Sequence, residues 1–364
     1  MNRDLKIDRI EARAYKIPTD RPESDGTLEW HETTLVTVYA DCAGKRGFGY
    51  GYSDSSAVDL IEEKLGEFVV GSDPMQVEKT WELLNNKVRN LGDTGVASMA
   101  IASVDNALWD LKARLLDLPL TILLGKVRDR IEAYGSGGFT SYSDDILRDH
   151  FESYARDGFR AVKMKIGRNA QDDARRVAVA RAAVGDGVAL YVDANGAYTP
   201  YQALEVASML EANRVSWFEE PVNHLDRKGL ALVRNRIPPG IPVSVGEYGF
   251  TLEYFRELLG QQCCDILQAD ATRCGITGFM KASVLSEAFG IPFSAHTAPS
   301  IHVHCACAAS RAMNIEYFYD HVRIEKMLLE GAAEVREGMV SPDMSRPGLG
   351  LELKEKDAEQ YRIT

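Results

Sequence analysis

Long apolar runs are missing from this sequence of 364 residues. A membrane-spanning helix needs about 20 consecutive apolar residues, and no stretch of the sequence approaches that length. Residues 1–18 also lack the apolar segment of a signal peptide, so we expect a cytoplasmic protein with no membrane partner. The apolar share of 45% is nevertheless enough for a large buried core without disulfides.

Cysteine pairs at the spacing of redox or zinc sites are absent as well. Two of the six cysteines are sequence neighbours and none forms a C-x-x-C motif, which argues against a small disulfide-rich scaffold. We therefore expect buried, neutral thiols at Cys42, Cys263, Cys264, Cys274, Cys305 and Cys307.

Basic residues are fewer than acidic ones, 42 against 54, which leaves a formal net charge of −12. Binding to nucleic acid requires a basic face, so this balance argues against a nucleic-acid partner. It does not argue against a small anionic substrate, because one local cation or bound metal ion can dominate the field inside a site.

The first part of the chain has the pattern of a small sheet followed by helices. Two strand-like runs, Lys6–Tyr15 and Thr34–Tyr39, flank a polar stretch at residues 18–32 that we predict to be a long loop. Gly47 and Gly49 are expected in turns. We predict an α+β domain over residues 1–125, with helices at Val58–Phe68, Met75–Asn86 and Val96–Leu116.

From residue 126 onward, short apolar strands alternate with helical segments. This alternation implies parallel strands joined by crossover helices, and eight repeats favour a closed barrel over a doubly wound sheet. We predict an α/β fold with a TIM-like barrel over residues 126–335 and a tail, 336–364, that returns to the first domain. The predicted strands are Glu132–Gly135, Ala161–Lys165, Ala189–Asp193, Ser216–Glu219, Val243–Glu247, Ile266–Ala269, Phe293–Ala295 and Asn314–Glu316.

Ionisable residues stand at or just after the carboxyl ends of seven consecutive predicted strands. From Lys165 onward they are spaced by 28, 26, 28, 23, 26 and 20 residues, about one strand–helix unit each. Such barrels carry their active sites at the carboxyl ends of the strands, so these groups should converge there. A single carboxylate at a strand end is usually a cap or a solvated residue, but seven in succession indicate a site. The residues are Lys163, Lys165, Asp193, Glu219, Glu247, Asp270, His296 and Glu316.

Three of these carboxylates, Asp193, Glu219 and Glu247, follow adjacent strands and offer only oxygen ligands. Hard cations such as Mg²⁺ prefer carboxylate oxygens and keep positions free for water or substrate. Zinc would more often recruit histidine or cysteine at such a site. We therefore predict one Mg²⁺ per subunit, held by this triad.

The remaining groups indicate proton transfer. Lys163 and Lys165 are two residues apart and share the inner face of a strand, so they should lower each other's pKa and make a neutral lysine base accessible. Asp270 and His296 follow consecutive strands, and an Asp that orients a His is a common acid–base pair. Glu316 completes the ring and is expected to hydrogen-bond the substrate as an acid.

This ordered set of motifs resembles the enolase superfamily and, within it, the mandelate racemase subgroup, over essentially the whole chain. The helix Ala102–Lys112 and the stretch Leu123–Gly125 are similar to that family's junction between capping domain and barrel. The matching motifs are Val162–Gly167, Val192–Asn195, Trp217–Pro221, Val245–Glu247, Gln268–Asp270, Gly275–Thr277 and Ser294–His296.

The resemblance implies a (β/α)7β barrel capped by an N-terminal α+β domain whose loops set substrate choice. It also implies that Mg²⁺ on the triad binds a substrate carboxylate and stabilises the enediolate left when the α-proton is removed. Lys165 would be the base on one face, with Lys163 contacting the carboxylate, and His296 the acid or base on the other. Glu316 would donate a hydrogen bond to the enediolate.

Proton-transfer groups on two faces permit dehydration, racemisation or epimerisation, and cycloisomerisation. Dehydration of an acid sugar to a 2-keto-3-deoxy acid, a step of carbohydrate-acid catabolism, ranks first by the resemblance. Racemisation or epimerisation of a 2-hydroxy acid and cycloisomerisation of a sugar lactone stay open. The polar loops favour a polyhydroxylated carboxylate as substrate, with Asn195, Trp30, His31 and Tyr52 as its ligands, and we expect a homo-oligomer.

Other classes of protein remain as alternatives. A non-catalytic binding protein on the same fold is disfavoured because unneeded buried charges are costly and none of the expected groups is lost. A Schiff-base aldolase would use one desolvated lysine and no carboxylate triad. His302-x-His304 could suggest a zinc hydrolase, but it follows the seventh strand rather than the first. We therefore interpret the two histidines as packing residues or as residues that support the site from behind.

Overall fold

The structure is a computed structural model and describes residues 5–363. Residues 1–4 and 364, which the predicted domain bounds include, lie outside the described residues. The chain begins with a three-stranded antiparallel sheet in the order β1-β2-β3. Its strands are β1 (Arg9–Ser24), β2 (Glu29–Cys42) and β3 (Lys45–Tyr52).

The prediction of a loop over residues 18–32 is wrong, because β1 and β2 continue through it as a long hairpin. Their pairing is interrupted between Pro18 and Glu23 and resumes before the turn at residues 25–28. The backbone N–H of Thr140 donates to the Ser24 carbonyl at 2.8 Å, and Ser141 Oγ donates to that of Pro22 at 2.7 Å. These partners lie more than a hundred residues away, so local composition could not reveal them.

Gly47 and Gly49 lie inside β3 rather than in turns. A Cβ atom on Gly49 would stand 2.3 Å from the backbone nitrogen of Ala107 and 2.7 Å from the carbonyl oxygen of Ser103. The strand glycines therefore let helix α4 (Val96–Leu115) cross the sheet at backbone distance.

The other helices of this part follow the predicted pattern with shifted ends. The segment predicted at residues 58–68 contains a π-helical turn at Leu60–Leu65 between two short α-helices. The α-helices around α4 are α1 (Ser56–Asp59), α2 (Gly66–Val69), α3 (Val77–Val88) and α5 (Leu120–Leu123).

Eight parallel strands form the closed barrel that the sequence predicts. Their order follows the chain from β4 to β11, and β11 pairs with β4 to close the ring. The strands are β4 (Ile131–Gly137), β5 (Ala161–Lys165), β6 (Ala189–Asp193), β7 (Val215–Glu219), β8 (Val243–Val245), β9 (Ile266–Ala269), β10 (Phe293–Ala295) and β11 (Ala312–Phe318).

Seven helices connect these strands, and an eighth follows the last strand. Several begin at side-chain caps; Thr199 and Gln202, for example, form a capping box at the start of α8. The helices are α6 (Asp144–Arg156), α7 (Ala170–Val184), α8 (Pro200–Ala212), α9 (Arg227–Arg236), α10 (Leu252–Gly260), α11 (Ala271–Ala288), α12 (Pro299–Ala306) and α13 (Tyr319–Leu328).

The C-terminal segment contacts both the barrel and the first sheet. The backbone N–H of Ile363 donates to the Ala14 carbonyl at 2.9 Å, and Arg13 forms an ion pair with Glu355 at 2.8 Å. The proposed division into 1–125, 126–335 and 336–364 stays a prediction. Residues 336–364 contain β13 (Met339–Val340, antiparallel to β4), β14 (Glu352–Leu353), α14 (Glu355–Ala358) and a 3₁₀ turn (Glu359–Tyr361), and β14 pairs with β12 (Leu329–Glu330), which precedes that boundary.

The described residues, 5–363, also bear on the expectations about membrane-spanning helices and cysteines. Within that range, no helix is long and apolar enough to span a bilayer. All six cysteines lie within it as well, and each is a buried free thiol.

Candidate active site

A cavity of about 350 Å³ opens at the carboxyl ends of the barrel strands, beneath the β1–β2 hairpin. A larger cavity of about 1280 Å³ lies between α12, α13 and the C-terminal segment, and none of the predicted site residues lines it. The smaller cavity is therefore the candidate site. Seven predicted residues line it: Trp30, Tyr52, Lys165, Asn195, Glu247, Asp270 and His296.

Strand register brings the first ionisable residues to one level. Lys165 is paired with Asp193 across β5 and β6, and Asp193 with Glu219 across β6 and β7. Alternation along β5 points Lys163 and Lys165 to the same face, and both are buried. The predicted convergence of these groups at the barrel mouth agrees with this register.

The two lysines share Asp193 but have different nearest carboxylates, since Lys163 Nζ lies 3.8 Å from Asp193 Oδ2. Lys165 Nζ lies 2.6 Å from Asp193 Oδ2, whereas Lys163 Nζ lies 2.5 Å from Glu219 Oε1 and 2.9 Å from Glu316 Oε1. Burial alone would lower both lysine pKa values, but the surrounding carboxylates outweigh it and raise them. This differs from the sequence expectation of a lowered pKa, which considered the lysine pair and not the carboxylates facing it.

The carboxylates of Asp193, Glu219 and Glu247 form a cluster that could hold a metal ion. One oxygen of each lies within 4.8 Å of the others, and all three residues are buried. Glu247 Oε2 has no hydrogen-bond partner among residues 5–363. Burial raises the pKa of Glu219 well above its usual value; Lys163 opposes this, and Asp193 adds to it. His296 Nε2 lies 3.4 Å from Glu247 Oε2. A buried all-oxygen cluster in which one oxygen accepts no hydrogen bond fits a hard divalent cation.

Asp270 and His296 form a hydrogen-bonded pair. His296 Nδ1 lies 2.9 Å from Asp270 Oδ2, while Asp270 Oδ1 accepts hydrogen bonds from the backbone N–H and the hydroxyl of Thr272. Burial would raise the pKa of Asp270, but the hydrogen bond and charge of His296, with smaller contributions from His302 and Arg273, together outweigh it and lower the value. Asp270 is therefore an ionised partner that directs the His296 Nε2 atom away from itself.

Glu316 makes the contacts of an ionised acceptor. It accepts hydrogen bonds from Ser136 Oγ at 2.5 Å and from the backbone N–H of Thr297 at 3.0 Å. Against the effect of burial, Lys163 and His296 lower its pKa. The sequence expectation that Glu316 donates a hydrogen bond as an acid is therefore corrected, because the adjacent Lys163 favours the carboxylate.

Three of the four expected substrate ligands line the cavity. Asn195 follows Asp193 and donates its backbone N–H to that carboxylate at 2.8 Å, while its own Oδ1 is buried without a partner in the described range. Trp30 is fixed by a 2.9 Å hydrogen bond from Nε1 to the buried Glu23. His31 does not reach the site. Neighbouring residues of a strand point to opposite faces, so with Trp30 lining the cavity His31 points away from it, and 70% of its side chain is exposed.

Arg273 and His321 are two of the cavity residues that sequence reasoning missed. Arg273 lies one helical turn after Asp270, with its guanidinium 4.3 Å from the ring centre of Tyr248 and 3.6 Å from Glu247 Oε1. His321 stacks on Tyr52 with ring centres 3.4 Å apart. The spacing from Asp270 could have indicated Arg273, whereas His321 carries no local signal because its partner comes from β3.

The order of the strands places the proton-transfer candidates on either side of the carboxylate cluster. Lys165 ends β5, the cluster follows β6, β7 and β8, and Asp270 and His296 follow β9 and β10. A ligand held at the cluster would therefore have a lysine on one side and a histidine on the other. This arrangement suits the transfer of protons at two faces of one carbon skeleton.

Two family models match most of the chain. The model of the mandelate racemase/muconate lactonizing enzyme N-terminal domain matches residues 10–125, and the enolase C-terminal domain-like model matches residues 147–358. These ranges cover the first sheet with its helices and nearly the whole barrel.

Curated relatives include both dehydratases and cycloisomerases. An arabinonate dehydratase from Saccharolobus solfataricus is 30% identical over 93% of this chain and 92% of that protein. A D-galactarolactone cycloisomerase from Agrobacterium fabrum is 27% identical over 99% of both chains.

Solved structures share the fold over nearly the whole chain. A mandelate racemase/muconate lactonizing enzyme-like protein from Rubrobacter xylanophilus is 46% identical, with a TM-score of 0.96, over 98% of this chain and 100% of that one. An L-talarate/galactarate dehydratase from Salmonella typhimurium, liganded with Mg and L-lyxarohydroxamate, is 27% identical, with a TM-score of 0.90, over 99% and 93%.

Proposed function

The chain belongs to the mandelate racemase/muconate lactonizing enzyme family of the enolase superfamily, and we propose that it removes the proton α to the carboxylate of an acid sugar. The favoured outcome is dehydration to a 2-keto-3-deoxy acid. The observation that carries this proposal is the placement of Lys165 and the Asp270–His296 pair on either side of the carboxylate cluster.

Asp193, Glu219 and Glu247 are the proposed ligands of one Mg²⁺. The ion would supply positive charge next to a substrate carboxylate as negative charge develops there. The proposal is supported by Glu247 Oε2, which is buried and accepts no hydrogen bond in the described range, and by the magnesium present in the Salmonella relative.

Lys163 is the proposed charge partner of the substrate carboxylate. Its ammonium group is held by Glu219 and Glu316, and its raised pKa keeps it cationic. Lys165 lies one pleat further along β5 and lines the cavity, so it is the proposed base for the α-proton. Burial would lower the pKa of Lys165, but Asp193 is the largest cause of its raised value, so the role requires the proposed Mg²⁺ to offset the charge of that carboxylate.

His296 is the proposed acid for the departing β-hydroxyl. Asp270 accepts the hydrogen bond from Nδ1, which leaves Nε2 to carry a proton toward the cavity. In dehydration the proton from Nε2 leaves with the hydroxyl as water, while the α-proton goes to Lys165. The resulting enol then becomes the 2-keto acid.

Cycloisomerisation of a sugar lactone is the second candidate. It begins with removal of an α-proton as well and uses the same residues on the two faces of the substrate. It is favoured by the cycloisomerase relative, which aligns over 99% of both chains. Racemisation or epimerisation of a 2-hydroxy acid would also use this arrangement, but would leave the hydroxyl in place.

A panel of sugar acids tests the proposal. We would incubate the protein with Mg²⁺ and galactarate, L-talarate, D-gluconate, D-arabinonate or D-galactarolactone, and measure 2-keto acid and optical rotation. Formation of a 2-keto acid with loss of water, seen in the product mass, supports dehydration; conversion of D-galactarolactone alone, to a product of unchanged mass, supports cycloisomerisation. Rotation that decays without a new keto group supports racemisation, and no change with any compound favours the binding-protein alternative.

A further inference from the structure

His302 is a buried imidazole that joins the two loops carrying Asp270 and His296. Its Nε2 lies 2.8 Å from the backbone nitrogen of Ala271, and its Nδ1 lies 2.7 Å from the carbonyl oxygen of Thr297. A backbone N–H only donates and a carbonyl only accepts, so Nδ1 carries the proton and Nε2 does not. Both ring nitrogens are therefore engaged, and one neutral tautomer is selected.

The two backbone partners are the residues that follow the acid–base pair. Ala271 comes directly after Asp270, and Thr297 comes directly after His296. The Ala271 peptide is also held from its other side, because Asn106 Nδ2 on α4 donates to its carbonyl oxygen at 3.0 Å. One imidazole thus links the ends of β9 and β10 just beyond the two groups.

The loop after His296 has an uncommon backbone. Thr297 and Ala298 have φ values of 53° and 36°, in the left-handed region that residues with a side chain seldom adopt. Such a conformation persists where surrounding contacts hold it. The hydrogen bond from His302 to the Thr297 carbonyl is one of those contacts.

We propose that His302 is a positioning residue that sets Asp270 and His296 at hydrogen-bonding distance for proton transfer. Its relevance to catalysis rests on the function proposed above. The ring makes no hydrogen bond to the pair itself, although its Nε2 lies 3.7 Å from Asp270 Oδ1; it acts through the backbone of Ala271 and Thr297. A histidine used only for packing would need just its volume, and Phe279, with its ring centre 5.1 Å away, offers an apolar contact for that.

His304 provides a matched control in the same helix. It is buried like His302, and its Nε2 donates to the Leu349 carbonyl at 3.1 Å, away from the candidate site. His302→Phe and His304→Phe therefore make the same change of size and polarity in α12. His302→Gln keeps one donor and one acceptor on neighbouring atoms.

Kinetics on the sugar acid found in the panel is the first test. We expect His302→Phe to lower kcat by about 10- to 100-fold relative to His304→Phe, with KM changed less than threefold, because the pair is displaced while the binding groups remain. His302→Gln should recover most of the loss. A folded His302→Phe variant with kcat within threefold of the control would overturn the proposal.

NMR of ¹⁵N-histidine-labelled protein tests the positioning without any substrate. His296→Asn identifies the signals of His296 by their loss. We expect His302→Phe to shift or broaden the Nδ1 signals of His296, and His304→Phe and His302→Gln to leave them near their wild-type positions. Unchanged His296 signals in His302→Phe would contradict the proposal even if the enzyme activity is confirmed. If the panel shows no activity, altered signals still support the structural link, and only the proposed function fails.

Discussion

At the scale of single residues, Lys165 and His296 are the groups that we propose to move protons, one on each side of the substrate. Lys165 Nζ contacts the proposed metal ligand Asp193 at 2.6 Å, and His296 Nδ1 contacts Asp270 at 2.9 Å. The residue types and the order of these groups were predictable from spacing along the sequence. Their protonation was not, because the pKa of Lys163 and of Glu316 depends on which charges face one another across the barrel.

Removing either group should separate the two proton transfers. Lys165→Ala and His296→Asn should each lower dehydration by about 10²- to 10⁴-fold, since each removes one acid or base. His296→Asn should still exchange the α-proton with D₂O, because Lys165 remains, and Lys165→Ala should not. ¹H NMR in D₂O measures the exchange and a keto-acid assay the dehydration.

His31→Asn is the matched control, because His31 is exposed and outside the cavity. It should retain wild-type exchange and dehydration. Full dehydration by Lys165→Ala would show that another group takes the α-proton.

At the scale of elements, the barrel strands were predictable and the capping hairpin was not. The strands at Ala161–Lys165, Ala189–Asp193 and Ile266–Ala269 have the predicted bounds, because an apolar run that ends in a polar residue marks a buried parallel strand. The hairpin at residues 18–32 is polar, and its pairing is completed by contacts with residues 140 and 141. Sequence patterns report local periodicity and miss partners of this kind.

Close packing between β3 and α4 gives a prediction at the same scale. Gly49→Ala places a Cβ atom 2.3 Å from the backbone nitrogen of Ala107, which cannot move without shifting the helix. We expect a loss of about 1–3 kcal/mol in the free energy of unfolding, as in other overpacked cores. Chemical denaturation with a two-state or domain-resolved fit measures it.

Gly187→Ala is the comparison for this variant, since a Cβ atom there would meet nothing within 4 Å. Its unfolding free energy should stay within about 0.5 kcal/mol of wild type. Equal stability of the two variants would mean that α4 does not approach β3 as closely as described.

At the scale of the whole molecule, Glu325 connects the first sheet with the barrel helices. From α13 it accepts a hydrogen bond from Tyr50 Oη of β3 at 2.7 Å and another from Ser300 Oγ of α12 at 2.5 Å. Burial raises its pKa from an ordinary 4.5 to about 7. The protonated form is therefore favoured in the folded protein.

A carboxyl group with a raised pKa makes stability depend on pH in a defined direction. The contribution of this group to the free energy of unfolding has an upper limit of about 3 kcal/mol. It is fully present below the unfolded-state pKa and is lost as the pH rises through about 7. Glu325→Gln should therefore gain stability relative to wild type between about pH 5 and pH 8. Thermal unfolding across this range measures the difference. The exposed Glu330→Gln variant should show the same pH dependence of stability as wild type. The raised pKa of Glu325 would be refuted if Glu325→Gln also showed the wild-type pH dependence.

The fold shows where part of the acidic excess behind the net charge of −12 lies. Several acidic side chains are buried at one end of the barrel, where Lys163, Lys165 and Arg273 face them. Composition argues against a nucleic-acid partner, but only the strand order shows that negative charge is gathered at the proposed metal site.

Exchange of the α-proton in D₂O, with and without metal, tests the central claim most directly. The protein is stripped with EDTA, supplied with Mg²⁺, and incubated with galactarate or another acid of the panel while the α-proton signal is followed by ¹H NMR. We predict no exchange after EDTA, recovery with Mg²⁺, and no recovery in Glu247→Gln. Exchange that is indifferent to EDTA, or no exchange of any acid at saturating Mg²⁺, would contradict metal-assisted proton abstraction.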